Sequence, residues 1–156
     1  MAIAAKLKKY LDTNKVKYKV SKHAVAYTAQ EIAAAQHVPG KQVVKSVLLK
    51  ADDKHILAVL PAIYLIDTAK LKKILKSKAL KIATEDEIAK VIPDYEVGAM
   101  PPFGNLYGLE VYADKTLRED EEIVFNAGTH TDTVKMKYSS FEKLANPKLA
   151  DFGKHI

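Results

Sequence analysis

The stretch Val43-Val44-Lys45-Ser46-Val47-Leu48-Leu49-Lys50-Ala51-Asp52-Asp53-Lys54-His55-Ile56-Leu57-Ala58-Val59-Leu60 decides how this chain folds. Two aliphatic, β-branched-rich runs, Val43 to Ala51 and His55 to Leu60, flank the polar triplet Asp52-Asp53-Lys54, which predicts a hairpin. Lys45 is the odd residue in it. A strand built from Val43, Val44, Val47, Leu48 and Leu49 avoids an ammonium unless that residue faces a groove. The alternative is an edge lysine whose stem lies along apolar surface while its charge reaches water.

Working outward, Ile3, Leu7, Tyr10 and Leu11 fall on one helical face, so residues 2–13 read as an amphipathic helix. Three capping boxes, each a hydroxyl three residues before a glutamate, mark further helix starts: Thr28 with Glu31, Thr84 with Glu87 and Ser139 with Glu142. Their stops fall near Val38-Pro39-Gly40, Pro93 and Asn146-Pro147. Another helix starts at Asp67 and buries Leu71, Ile74 and Leu75. Tyr107 to Ala113, Glu122 to Phe125 and Asp132 to Lys137 read as three more strands. Helices and strands intermingle without strict β-α-β alternation. The expected class is therefore α/β of the α+β-like kind, with a mixed, barrel-like β-sheet surrounded by helices.

At 156 residues, 48% of them hydrophobic, the chain is long enough for one domain over 1–156 with a real core, and disorder is excluded. The absence of cysteine excludes disulfides, thiolate metal sites and a cysteine nucleophile. No apolar stretch follows Lys6, Lys8 and Lys9, so no secretory signal is expected. The longest apolar run, His55 to Ile66, is broken by Pro61 and is shorter than the ~20 residues of a membrane helix. A cytoplasmic protein with no membrane partner follows as the expectation. Charge is unevenly placed: residues 1–81 carry +12 and residues 82–156 carry −6. Such asymmetry suits a basic face that attracts polyanions, although lysine-rich helix surfaces are also simply solvated. Arg118 is the only arginine, which argues against bidentate reading of guanine.

Familiar catalytic signatures are missing. The sequence has no Gly-rich phosphate loop, no dinucleotide fingerprint, no His-Glu-x-x-His and no Gly-x-Ser-x-Gly elbow. The five histidines lack ligand spacing, so no metal site is expected. Two segments stand out instead. In Gly98-Ala99-Met100-Pro101-Pro102-Phe103-Gly104 the prolines fix the backbone and the glycines permit close approach. Such a loop can aim N–H groups at a developing oxyanion; it can equally be a plain turn between helix and strand. Phe125-Asn126-Ala127-Gly128-Thr129-His130-Thr131-Asp132-Thr133 is small, polar and hydroxyl-rich, suited either to lining a pocket or to a solvated hairpin loop.

With these segments in view, the chain resembles the YbaK/ProX family, free-standing relatives of the editing domain inserted into bacterial prolyl-tRNA synthetases. The resemblance runs from His23 and Thr28-Ala29-Gln30-Glu31 through Lys45-Ser46-Val47-Leu48-Leu49 and Gly98-x-x-x-Pro102-x-Gly104 to Phe125-Asn126-Ala127-Gly128-Thr129. It implies a trans-acting aminoacyl-tRNA deacylase that hydrolyses the ester of mischarged tRNA, with no cofactor. It places Lys45 at the tRNA 3′ end and the Gly98–Pro102 loop, with Gly104, around the aminoacyl group. Substrate-binding positions implied with it are His23, Thr28, Ala99, Met100, Phe103, Gly128, Thr129 and His130. Met100, Pro102 and Phe103 would wall one side of the amino-acid sieve, and Gly128 to His130 the other. His130 is either a reader of a substrate hydroxyl or a loop residue. Members of the family act on different esters, so the amino acid is not fixed by the resemblance. The expected partners are the acceptor end of aminoacyl-tRNA and an aminoacyl-tRNA synthetase. Rival readings are a non-catalytic binder of the acceptor end and a module docking through the Lys-rich N-terminal helix.

Overall fold

The computed structural model describes residues 5–22, 42–92, 100–126 and 132–155. In chain order its elements are α1 (Ala5–Thr13), β1 (Tyr18–Lys22), β2 (Val43–Ala51), β3 (Lys54–Pro61), β4 (Tyr64–Ile66), α2 (Thr68–Leu75) and β5 (Leu80–Ile82). Then follow α3 (Glu85–Val91), β6 (Glu110–Asp114), β7 (Glu122–Asn126), β8 (Asp132–Lys137), α4 (Tyr138–Ala145), β9 (Lys148–Ala150) and β10 (Gly153–His155). The expected mixed sheet is present, in the order β1-β8-β7-β2-β3-β6-β9, with parallel pairs at β2–β7, β3–β6 and β6–β9.

The hairpin forms where the sequence predicts it. Its register runs from Val44 opposite Pro61 to Ala51 opposite Lys54, so the turn itself is Asp52-Asp53. Asp52 takes a left-handed φ of 54°, which aspartate tolerates better than most residues. Its carboxylate accepts from the N–H groups of Lys78 and Ala79 at 3.0 and 2.9 Å, which pins the turn to the chain entering β5.

Side chains on the two faces of this sheet enter separate cores. On one face Val44, Leu48, Leu57 and Val59 pack with Leu7 and Leu11 of α1 and with Phe141 of α4. On the other, Leu49, Ile56, Ala58 and Leu60 pack with Leu71 of α2 and with Phe152. Burial on both faces explains why β3 reads as a continuous apolar run rather than an alternating one.

One edge of β2 is taken by β3 from Val44 to Ala51. The other is shared: β7 pairs with Val43 and Val44, and β5 pairs with Leu49 to Ala51. The sheet therefore forks at Lys45, Ser46 and Val47, since the Leu48 carbonyl already accepts from the Ala83 N–H just past β5 at 2.9 Å.

Local expectations meet mixed outcomes. The Thr84–Glu87 capping box has both of its hydrogen bonds, and Asn146 closes α4 in the left-handed conformation. Asp67 caps α2 as expected and Leu71 is fully buried, but Ile74 is 38% exposed on the outer face of that helix. The Ser139–Glu142 box does not form. The helix begins two residues earlier, with Lys137 rather than Ser139 at the N-cap, straight out of β8, and the Tyr138 N–H is satisfied by the Glu121 carbonyl at 2.9 Å. The strand expected from Tyr107 starts at Glu110, because Gly104–Tyr107 is a 3-10 turn closed by Gly108 at φ 70°. The box at Thr28 and Glu31 lies outside the described residues.

Candidate functional site

Lys45 stands on β2 two residues after Val43, and the register fixes its face. Val43 is opposite Val124 on β7, Val124 is opposite Lys135 on β8, and Lys135 is opposite Lys19 on β1. The next row on the same face is Asn126 opposite Thr133, and Thr133 opposite Ser21, with Lys45 at its β2 end. Here β2 and β7 part company. A cation is thus set beside a buried polar row at the opening of the fork.

Lys45 is half-buried among residues of the second core, close to Leu60, its hairpin partner. Burial holds its pKa below the ordinary lysine value, because an ammonium loses water there. Among the described residues no carboxylate accompanies it. Thr133 is 1% exposed, and Asn126 keeps its buried side-chain carbonyl oxygen without a hydrogen-bond donor. Buried acceptors of this kind are uncommon and cost stability, so each invites a functional account. Ser46, on the opposite face, has a buried hydroxyl in the same condition.

The described part of the glycine–proline loop behaves as an anchor. Phe103 is 1% exposed and meets Phe125, Phe141 and Tyr10 edge-on, with ring centroids 5.7 to 6.0 Å apart. The ring, expected as a sieve wall, fills the first core and holds the loop to it. Gly104 is required by close approach. A Cβ there would lie 3.1 Å from Val111 Cγ2 and 3.2 Å from the Cβ atoms of Leu109 and Leu57. Met100 (6% exposed) and Pro102 are buried too, and Met100 joins the same core as Phe103. The side chains of Met100 and Phe103 enter the first core, whereas Lys45 is on the β2 face of Leu49, which enters the second.

Of the other expected site residues, His23, Thr28, Gly98, Ala99, Gly128, Thr129 and His130 lie outside the described residues. The segments holding them join the described chain at Lys22, at Met100, and between Asn126 and Asp132. Asn126 and Thr133 were not nominated as site residues from sequence. Their signal is alternation: each falls two residues along a strand from a residue in the Val43–Val124–Lys135 row. No group of three or more His, Asp or Glu side chains among the described residues is placed to hold a metal ion. No helix among them is long and apolar enough to cross a membrane.

Comparison with known proteins bears on this geometry. The sequence model of the aminoacyl-tRNA editing domain matches residues 23–144. Proline--tRNA ligase of Bacillus subtilis is 31% identical over 91 residues, covering 58% of this chain and 16% of that enzyme. Proline--tRNA ligase of Streptococcus thermophilus is 27% identical over 135 residues, covering 81% of this chain and 22% of the enzyme. The chain thus spans less than a quarter of the length of these relatives. Among solved structures, a candidate trans-editing enzyme for prolyl tRNA synthetase superposes with TM-score 0.86 at 22% identity, over 97% of this chain and 96% of that one. A scaffold protein used for computational grafting of linear epitopes superposes with TM-score 0.87 at 22% identity, over 98% and 97%. These two likenesses establish the fold.

Proposed function

The chain belongs to the aminoacyl-tRNA editing domain family, and from that premise we propose that it is a trans-acting deacylase of mischarged tRNA, working in the cytoplasm on the acceptor end. The observation that carries the reading is Lys45: a half-buried, unpartnered cation at the fork between β2 and β7, beside Asn126 and Thr133. A fold keeps such a charge off its surface for a ligand that carries the opposite one.

The chemistry asks little of the protein. An aminoacyl ester is already activated, so rate comes from positioning, placement of water and stabilisation of the tetrahedral oxyanion. Water adds to the carbonyl carbon, the bond to the terminal ribose oxygen breaks, and that oxygen leaves with a proton. The neighbouring ribose hydroxyl orients or activates the water, so the enzyme needs no general base of its own. In this scheme Lys45 holds the terminal phosphate or steadies the oxyanion, and Asn126 offers its idle acceptor to the substrate's amino group. The Gly98–Pro102 loop supplies backbone donors through the N–H groups of Gly98, Ala99 and Met100, since its two prolines have none, with Phe103 and Gly104 fixing that loop to the core. Because one methylene changes pocket affinity by only about 1–3 kcal/mol, a synthetase makes near-isosteric errors that a second sieve must remove. A docking contact with the synthetase that makes such errors fits a chain that resembles that enzyme's own editing insert.

The test is deacylation of tRNAs charged with Ala, Ser, Thr, Cys and Pro, by wild type and Lys45→Ala. Hydrolysis of one ester, lost in a folded Lys45→Ala protein, supports the reading and names the substrate. Salt-sensitive tRNA binding without hydrolysis of any ester would replace it with non-catalytic acceptor-end binding.

A further inference from the structure

Several surface lysines have carboxylate partners. Lys8 meets Asp12 at 2.6 Å, Lys54 meets Glu110 at 2.7 Å, and Lys148 meets Glu110 at 3.5 Å. One group does not. Lys15, Lys17, Lys137 and Lys143, with Ser140, line a cavity of about 410 Å³ between the turn after α1 and the first turn of α4, and no carboxylate lines it. All four lysines are exposed, and none is in an ion pair among the described residues. Lys17 and Lys137 also line an adjoining groove of about 340 Å³ together with Lys19 and Lys135. The one carboxylate there is Glu122, 3.7 Å from Lys135.

Two features make this arrangement unfavourable for the protein alone. Lys19 stands directly opposite Lys135, and like charges facing each other across strands repel. No side chain caps α4 at Lys137, so the positive end of that helix adds to the field. A bound polyanion relieves both.

The strand register connects the patch to Lys45. Lys19 and Lys135 occupy the row of Val43, one row before Lys45 on the same face. Lys137, opposite Glu122, is one row further back. From Asp132 to Lys137 the strand has six residues and spans ~17 Å. Lys19, Lys135 and Lys137 are the outer end, and Lys45 the half-buried inner end, of one sheet face, and Lys15 and Lys143 adjoin that outer end from the turn after α1 and from α4.

We propose that this patch binds the phosphodiester backbone of the RNA strand whose 3′ end reaches Lys45. The proposal rests on the deacylase reading for that end only. Lysines grip phosphates as point charges without reading bases, so the contact is independent of sequence and tunes affinity rather than choice of ester.

The experiment compares wild type, the triple variant Lys17→Gln/Lys137→Gln/Lys143→Gln, and Lys54→Gln, whose partner Glu110 lies elsewhere. Binding of uncharged tRNA is measured across a salt series, with circular dichroism to verify folding, alongside deacylation of the preferred ester. The triple variant should bind roughly tenfold more weakly at physiological salt, with the slope of log K against log salt shallower by about 0.7–0.9 for each phosphate it no longer neutralises. The deacylation defect should fall on KM and not on kcat, and an aminoacyl ester of adenosine alone should not feel it. Lys54→Gln should keep the wild-type slope. A triple variant with wild-type tRNA affinity and slope would overturn the proposal, as would loss of binding to an acidic polypeptide with RNA binding intact. If wild type hydrolyses no ester while the triple variant still loses RNA binding, this surface stands and the deacylase reading falls.

Discussion

One oxygen of the Glu87 carboxylate lies 2.9 Å from Nε2 of His55, while the other accepts the backbone N–H of Thr84 at 3.2 Å. A single side chain thereby caps α3 and ties it to the start of β3. The His55 contact first, and the Thr84 N–H after it, pull the Glu87 carboxyl from the usual 4.5 down to about 2.

The sign of the resulting pH effect follows from the lowered value. The folded protein favours the ionised carboxylate more than the unfolded chain does. The stabilisation is therefore complete above about pH 4.5 and is lost as pH falls toward 2. Glu87→Gln, which keeps the shape of the cap, should flatten the fall of the urea midpoint over that interval. A wild-type acid limb in the variant would refute the link.

Lys45 sets function against stability. Its pKa is lowered by burial, so the unfolded chain binds more protons near the alkaline limit and stability should rise with pH toward 10.5. Lys45→Met should unfold at the same or a higher temperature, with stability up by as much as about 1 kcal/mol, and should lose that rise. Deacylation should nonetheless fall by orders of magnitude. Thermal unfolding and single-turnover hydrolysis of the same samples test both halves. A destabilised Lys45→Met protein would mean that the cation has a structural partner.

If the neighbouring ribose hydroxyl helps the water, tRNA charged on the 3′ oxygen and ending in 2′-deoxyadenosine should bind normally yet turn over poorly. Loss should appear in kcat with the binding constant little changed. Normal turnover would require a base from the protein.

Gly104→Ala forces a methyl group against Val111, Leu109 and Leu57 at 3.1 to 3.2 Å. The strain of overpacking should reduce stability by about 1–3 kcal/mol, read as a lower urea midpoint at unchanged slope. Because Gly104 adjoins Phe103, the damage should reach the loop before it. A variant as stable as wild type would show that β3 and β6 yield easily there.

What could be read from the sequence was set by the range of the forces involved. The hairpin was legible because two long apolar runs around a polar turn leave few alternatives, and the Thr84–Glu87 cap because both partners sit within four residues. The three-residue strands Tyr64–Ile66, Leu80–Ile82, Lys148–Ala150 and Gly153–His155 were not, since so short a segment has no period and forms only when a neighbour offers its edge. Tyr18–Lys22, whose tyrosine and valine alternate with lysines and serine, carries a signal that lysine-rich composition masks. At the site, Lys45 announced itself by being the wrong residue for its strand. Phe103 could not be distinguished from a pocket wall, because a buried ring and a ligand-facing ring have the same local sequence. Asn126 stood in a polar stretch that could line a pocket or form a hairpin loop, and only register laid it beside Lys45.

The fork in β2 has a consequence for how such a protein can diversify. The station of Lys45 is fixed by hydrogen bonding to β3 along eight paired positions, from Val44 to Ala51. The segments on the other side of the opening, β5 and β7, pair with β2 only at Leu49 to Ala51 and at Val43 and Val44. Insertions, deletions and substitutions in those segments can therefore reshape which side chain is admitted, while the charge at the bottom stays where the hairpin puts it. On the deacylase reading, selectivity and reactivity would then be carried by separately mutable parts of one sheet.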